Sequence, residues 1–186
     1  MVKRLIILGF LFFNGCYLFG QFGAYKKGLV VLDNGDTLRG FIKDNVQEVD
    51  SKKVFFKDSV GSKKIFLANE VRYFKREEKS YVKVVITAVN HEVLHRLLKV
   101  ISDGKCKLLK DKYARPMNGG GSDSGYNPKI YYYIMASQDS LIIVSNRDYE
   151  QIINKYFGDS KVKGKDYRFG NIESDFIELN KLQSVQ

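Results

Sequence analysis

The stretch that decides the fold is GLVVLDNGDTLRGFIKD, residues 28–44. Two β-prone runs, 29–33 and 36–42, flank Asn34-Gly35. Asn-Gly between apolar runs is the strongest short hairpin signal, because a type I′ turn needs positive φ at both central positions. Gly35 has no Cβ to oppose that conformation, and Asn34 tolerates it. The stretch therefore reads as an antiparallel hairpin with a type I′ turn, the first of several lysine-studded strand pairs.

Downstream, SKKVFFKD (51–58) and SKKIFL (62–67) are joined by Asp58-Ser59-Val60-Gly61 and read as a second hairpin. NEVRYFKR (69–76) alternates, with Val71 and Tyr73 on one face, and SYVKVVIT (80–87) is rich in β-branched residues. Residues 94–101 and 105–110 flank Ser102-Asp103-Gly104, which fits a hairpin with a bulge. PMNGGGSDSGYNP (116–128) is a flexible glycine-rich loop. It lacks the Gly-Lys-Ser/Thr ending of a phosphate-binding loop, so nucleotide binding is not expected. Two further strands follow, IYYYIM (130–135) and residues 141–145. Tyr131, Tyr132 and Tyr133 read as one strand with tyrosines on both faces, the alternative being a stacking platform for a sugar.

The C-terminal part, 146–183, has helical periodicity. Tyr149, Ile152, Ile153, Tyr156 and Phe157 form one apolar stripe, with Ser145-x-x-Asp148 as a capping box and Gly158 as the stop. Asn171 can cap a second helix that places Ile172, Phe176 and Leu179 on one face. Strands first and helices last predict an α+β fold: antiparallel hairpins in a meander sheet, or a small barrel or sandwich, with two C-terminal helices.

The chain has 186 residues, 44% hydrophobic and 13% aromatic, which fits a folded domain and not a disordered one. Lys3 and Arg4 precede the apolar run 5–13, and Leu18 and Gly20 precede Gln21 at the spacing of a signal-peptidase site. Residues 1–20 thus read as a signal peptide and 21–186 as one β-rich domain. The apolar run 5–19 has 15 residues, interrupted by Asn14, against the ~20 of a spanning helix. A lipid anchor at Cys16 is the variant reading; Gly15 suits it, whereas Phe13 and Asn14 do not. Cleavage leaves Cys106 alone, with no internal disulfide. It also removes Lys3 and Arg4, lowering the formal charge from +10 to +8, because residues 1–20 contain no acid. A basic exported protein suits anionic partners such as polyanionic glycans or a membrane surface. The lysines are spread along the sequence, so the simpler reading is that they solvate sheet faces and guard edges. Export argues against nucleic acid.

Taken together, GLVVLDNGDTLRGFIKD, KKVFFKD and LLKVISDGKCKLLKDKY resemble a family of exported, functionally uncharacterised envelope proteins of Gram-negative bacteria. The resemblance spans most of residues 25–180. It implies a glycine-rich loop before a Tyr-Tyr strand, here Tyr131–Tyr133, then a helix ending near an Asp-Cys pair, here Asp159-Ser160, and a last short helix. The chain departs from the pattern at Ser160 and at Leu108-Leu109, and the family brings no catalytic residues.

One motif suggests chemistry. His91-Glu92-Val93-Leu94-His95 matches H-E-x-x-H, which on a helix places two imidazoles on one zinc with the glutamate as general base. Val89, Val93, Leu97 and Ile101 recur at every fourth residue, as a helix would require. Against it, these are the only histidines, a third ligand would have to be an acid such as Glu150, and Arg96 follows directly. Residues 94–101 also read as a strand, in which His91 and His95 would be roughly 13 Å apart. The expectation is that the match is accidental. Cys106 lies inside a strand run and reads as a buried, inert thiol. No catalytic, cofactor or metal residue is assigned. The function expected is an exported non-catalytic envelope module binding an envelope protein or an anionic surface polymer; the alternative is a zinc metallopeptidase.

Overall fold

The structure, a computed structural model, describes residues 24–44, 51–87, 91–115, 127–137, 140–158, 161 and 164–184. The expected signal peptide, most of the glycine-rich loop and the Asp159-Ser160 pair lie outside the described residues. Among the described residues ten strands precede two helices, so the fold is α+β. The strands are β1 (Tyr25–Leu32), β2 (Thr37–Lys43), β3 (Lys53–Lys57), β4 (Lys63–Leu67) and β5 (Val71–Arg76). They continue as β6 (Lys79–Thr87), β7 (Val93–Ser102), β8 (Lys107–Arg115), β9 (Asn127–Ser137) and β10 (Ser140–Val144). Helix α1 is Tyr149–Phe157, a 3-10 turn covers Phe169–Asn171, and α2 is Ile172–Gln183.

All ten strands join one open antiparallel sheet in the order β10-β9-β8-β7-β6-β5-β1-β2-β3-β4. Two meanders, β1–β4 and β5–β10, are thus joined side by side through β1 and β5. Connectivity shows that the first meander is not flat. In the sheet order β4 and β5 are four strand steps apart, about 19 Å at ~4.8 Å per step. Only residues 68–70 connect them, and an extended chain from Leu67 to Val71 reaches at most ~14 Å. The link is also turned back on itself, with the Glu70 amide donating to the Leu67 carbonyl at 3.0 Å. The β3–β4 hairpin therefore curls over towards β5. Inside the curl, Val30, Ile42, Val54, Phe56, Val71, Phe74, Tyr81 and Leu97 form one buried cluster. Phe74 and Tyr81, cross-strand partners, stack with ring centroids 4.3 Å apart.

Two glycines of the opening stretch permit the curl. Gly28 and Gly40 are cross-strand partners. A Cβ on Gly28 would lie 2.4 Å from the Lys75 carbonyl oxygen, and one on Gly40 2.4 Å from the Lys57 carbonyl oxygen. Backbone approaches that closely only where a side chain is missing.

The first hairpin forms as expected, but its turn is of another type. Gly35 has φ +94°, whereas Asn34 is not among the residues with positive φ. The Gly35 amide donates to the Leu32 carbonyl at 3.0 Å, and the Leu32 amide to the Asp36 carbonyl at 2.9 Å. This is a type I turn followed by a left-handed glycine and a bulge, not type I′. The Asn34 side chain sets it: Oδ1 accepts the Asp36 amide at 3.0 Å and Nδ2 donates to Asp36 Oδ2 at 2.8 Å. In β5 the buried residues are Val71, Phe74 and Arg76, so Val71 and Tyr73 do not share a face as simple alternation predicts. A register shift opposite Val31 and Leu32 accounts for the change.

The helices cover β8–β10 on the same side as the curl. Leu108, Ile134 and Val144 of the sheet pack with Tyr149, Ile153, Phe157, Phe176 and Leu179 of the helices. Ser145 Oγ donates to Asp148 Oδ2 at 2.5 Å in the turn before α1, but the N-cap is Asp148 and its side chain caps no amide, so the expected capping box does not close the helix start. Among the described residues, no helix is long and apolar enough to cross a membrane.

Gly28→Ala should lower stability by about 1–3 kcal/mol through overpacking, seen as a lower Tm. Gly158→Ala, at φ −47° with nothing within 4 Å of a new Cβ, should leave Tm level or raise it slightly. Equal melting temperatures for the two variants would contradict the close approach at Gly28.

Candidate functional site

The site arises where strands part. β7 and β8 pair at Lys99–Lys110 and Val100–Leu109 and, beyond a bulge, at Ser102–Leu108. β8 remains paired with β9 as far as Arg115, so the earlier part of β7 and the later part of β8 diverge. Ser51, just before β3, binds β7 here. Its carbonyl accepts the Leu97 amide at 2.7 Å and its hydroxyl accepts from Arg96 Nη1 at 3.0 Å. Arg96 Nη1 also lies 3.6 Å from Asp111 Oδ2, with both side chains nearly buried. Burial pushes the Asp111 carboxyl up; the Arg96 charge and the Lys112 amide pull it down without cancelling that rise.

Between the curl and this fork lies a cleft of about 60 Å³. Its walls carry Lys43, Lys53, Arg76, Lys99, Lys110 and Lys112, with Asp111 the one acid among its lining residues. Ile42, Val54, Phe74 and Leu97 supply an apolar floor. Arg76 is 6% exposed and structurally committed. Nη2 pairs with Asp44 Oδ1 at 2.8 Å and contacts the Tyr81 hydroxyl at 3.3 Å, and Nη1 donates to the Lys43 carbonyl at 3.0 Å. Lys110 Nζ and the Tyr132 hydroxyl both donate to Glu173 Oε1 of α2, at 2.8 and 2.6 Å. Burial raises the Glu173 pKa. The two hydrogen bonds and the charges of Lys110 and Lys99 outweigh that and hold it below the usual glutamate value. Burial and the same contact push the Tyr132 phenol well up, so it stays a donor. Lys43, Lys99 and Lys112 make no ion pair with any described acid.

Lys99 and Lys110 stand directly opposite each other. Like charges in that position destabilise a sheet. The lysines that look evenly spread along the sequence thus converge in space. A turn at Ser102-Asp103-Gly104 would have set Lys99 opposite Lys107; the turn lies at 103–106 and a bulge brings Lys99 opposite Lys110, and the contributions of β2, β3 and β5 needed the sheet order.

The other sequence candidates lie elsewhere. β7 begins at Val93, so His95 and the end of the HEVLH motif are strand. His91 sits in an exposed bend at φ +62°. Helical spacing, which alone would bring both imidazoles to one zinc, is absent here. Glu150 is an exposed residue in the first turn of α1. Among the described residues no His, Cys, Asp and Glu group has the makings of a metal site. Cys106 is buried, and burial pushes its thiol up, away from the reactive thiolate. Tyr133 is buried, Tyr132 binds Glu173 and Tyr131 is exposed, so the three tyrosines make no common stacking surface. Compared with protein-family models, curated proteins and solved structures, the chain matches none.

Two outcomes follow for this region. Purified protein should hold no stoichiometric zinc, and chelator should leave its Tm unchanged; zinc that disappears in His95→Ala would restore the peptidase reading. Because the Glu173 pKa is depressed in the folded state, its stabilising contribution is present above the ordinary glutamate value and is lost as pH falls through the folded pKa. Glu173→Gln should therefore flatten the acid limb of the Tm–pH curve, and an unaltered limb would mean that the Lys110 and Tyr132 contacts add nothing.

Proposed function

We propose that the protein is an exported, non-catalytic module of the cell envelope, periplasmic or outer-membrane associated, that binds an anionic envelope component or surface polymer through the basic cleft. One observation carries the binding: Lys43, Lys99 and Lys112 meet in one cleft without an ion pair to any described acid. Cations held beside an apolar wall act in a lower effective dielectric than on an open surface, which strengthens attraction for an anion. The lining offers no nucleophile beside a base, which favours binding over catalysis. Export rests on Lys3, Arg4 and the apolar run that follows. The envelope assignment rests on the family resemblance.

Co-sedimentation with washed native envelope fragments tests this reading. Lys99→Glu combined with Lys112→Glu should cut the bound fraction about tenfold while the protein stays folded, as judged by a cooperative melting transition. Added salt should weaken binding of the natural protein, since exposed charges are screened over ~10 Å at 0.1 M. Retention of full binding by the double variant would remove the cleft from the function.

A further inference from the structure

The cleft's own chemistry narrows the anion, and the step rests on its being the binding site. We propose that it takes a phosphate group, carried as a phosphate monoester on its partner. The donors on offer set how an anion's oxygens are held. A guanidinium fork grips two oxygens of a carboxylate or of a phosphate in one plane, whereas an ammonium is a compact point charge with three rotatable donors. The guanidinium of this cleft is already engaged, by Asp44, Tyr81 and the Lys43 carbonyl. Among the other lining cations, the ammonium groups of Lys43, Lys99 and Lys112 make no ion pair with a described acid. Three ammonium groups approaching from different strands suit the tetrahedral oxygens of phosphate better than the flat edge of a carboxylate.

Charge points the same way. Glu173 pairs directly with Lys110 and brings one charge to Lys110 and Lys99 together, and the carboxylate of Asp111 is already next to Arg96. The remaining lysines call for more than one negative charge. A phosphate monoester carries about −1.5 to −2 at neutral pH, more than a single carboxylate or a sulfate ester brings. Size limits the rest of the ligand. Small-molecule pockets measure roughly 300–1,000 Å³, and this cleft is about 60 Å³. It admits one anionic group and leaves its carrier outside, as suits a decorated polymer.

Glucose 6-phosphate, glucose 6-sulfate and glucuronate share a hexose and differ in the anionic group, so they separate these readings. Titrated calorimetrically at constant ionic strength and pH 7.5, the phosphate should bind at least tenfold more tightly than the other two. Lys99→Gln with Lys112→Gln should weaken the phosphate at least tenfold with Tm no lower than that of the natural protein, because Lys99 no longer opposes Lys110, and Lys63→Gln on β4 should have no effect. Inorganic phosphate, titrated alongside, reports whether the sugar adds to affinity; weaker binding than the ester supports a carrier-borne group, and equal or tighter binding overturns the ester in favour of free phosphate. Equal affinity for all three sugars, lost in the double variant, would overturn the phosphate assignment and leave the cleft as a general anion site. No binding by any probe, or binding that survives the double variant, would overturn the cleft itself.

Discussion

Between Leu67 and Val71 the chain has four Cα steps in which to cross what a flat sheet would make a span of about 19 Å. The first half of the molecule is shaped by that shortage. The β3–β4 hairpin must fold over the β1–β2–β5 surface, and the sheet that bends to allow it carries no side chain where neighbouring backbones crowd, at Gly28 beside β5 and at Gly40 beside β3. The turn at residues 33–35 is fastened to the same link. The Asp33 amide donates to the Glu70 carbonyl at 3.0 Å, Arg72 Nη2 donates to the Asp33 carbonyl at 2.7 Å, and Lys83 pairs with the Asp33 carboxylate. Curling then delivers Ser51 to the place where β7 and β8 part, and the cleft is the space that remains between them.

The second half is held differently. Here the helices lie on the sheet and buried polar contacts fix their position. Asn180 Nδ2 donates to Ser102 Oγ at 2.8 Å and to the Cys106 carbonyl at 3.0 Å, which keys α2 to the β7–β8 turn. Tyr149 donates to Asp175 Oδ2 at 2.9 Å, and Lys165 lies 3.2 Å from Asp175 Oδ1. Such contacts add little net stability but make misplacement costly, because a shifted helix would leave buried polar groups unpaired. Exact placement of α2 matters for the cleft, since Glu173 holds Lys110 from that helix.

Features carried by neighbouring residues were legible in the sequence. The hairpins, the stripe from Tyr149 to Phe157 and the α+β class all depend on spacing within a few residues. The type of the Asn34 turn was not, because Asn34 stabilises a type I turn through its side chain as readily as it enters the left-handed region. Nor was the neighbouring of β1 and β5, which depends on how far residues 68–70 can reach. The cleft depends on that pairing in turn, so basic residues from five strands read as scattered surface charge. The HEVLH match shows the converse: a pattern specific on a helix loses its meaning in a segment whose β-branched neighbours and following turn make it a strand.

Of the nine strand pairings, β1–β5 alone joins strands that are not successive in the chain. This orders assembly in time. A chain delivered N-terminus first can add each strand to the one before it, with little loop-closure entropy at each step. The exception must wait: Val30, Ile42, Val54 and Phe56 can begin to gather, but their cluster is incomplete until Phe74 and Tyr81 emerge. α2, bringing Glu173, arrives after all ten strands. Until then Lys110 faces Lys99 without the acid it pairs with, and the nascent sheet is at its most cationic just before α2 docks.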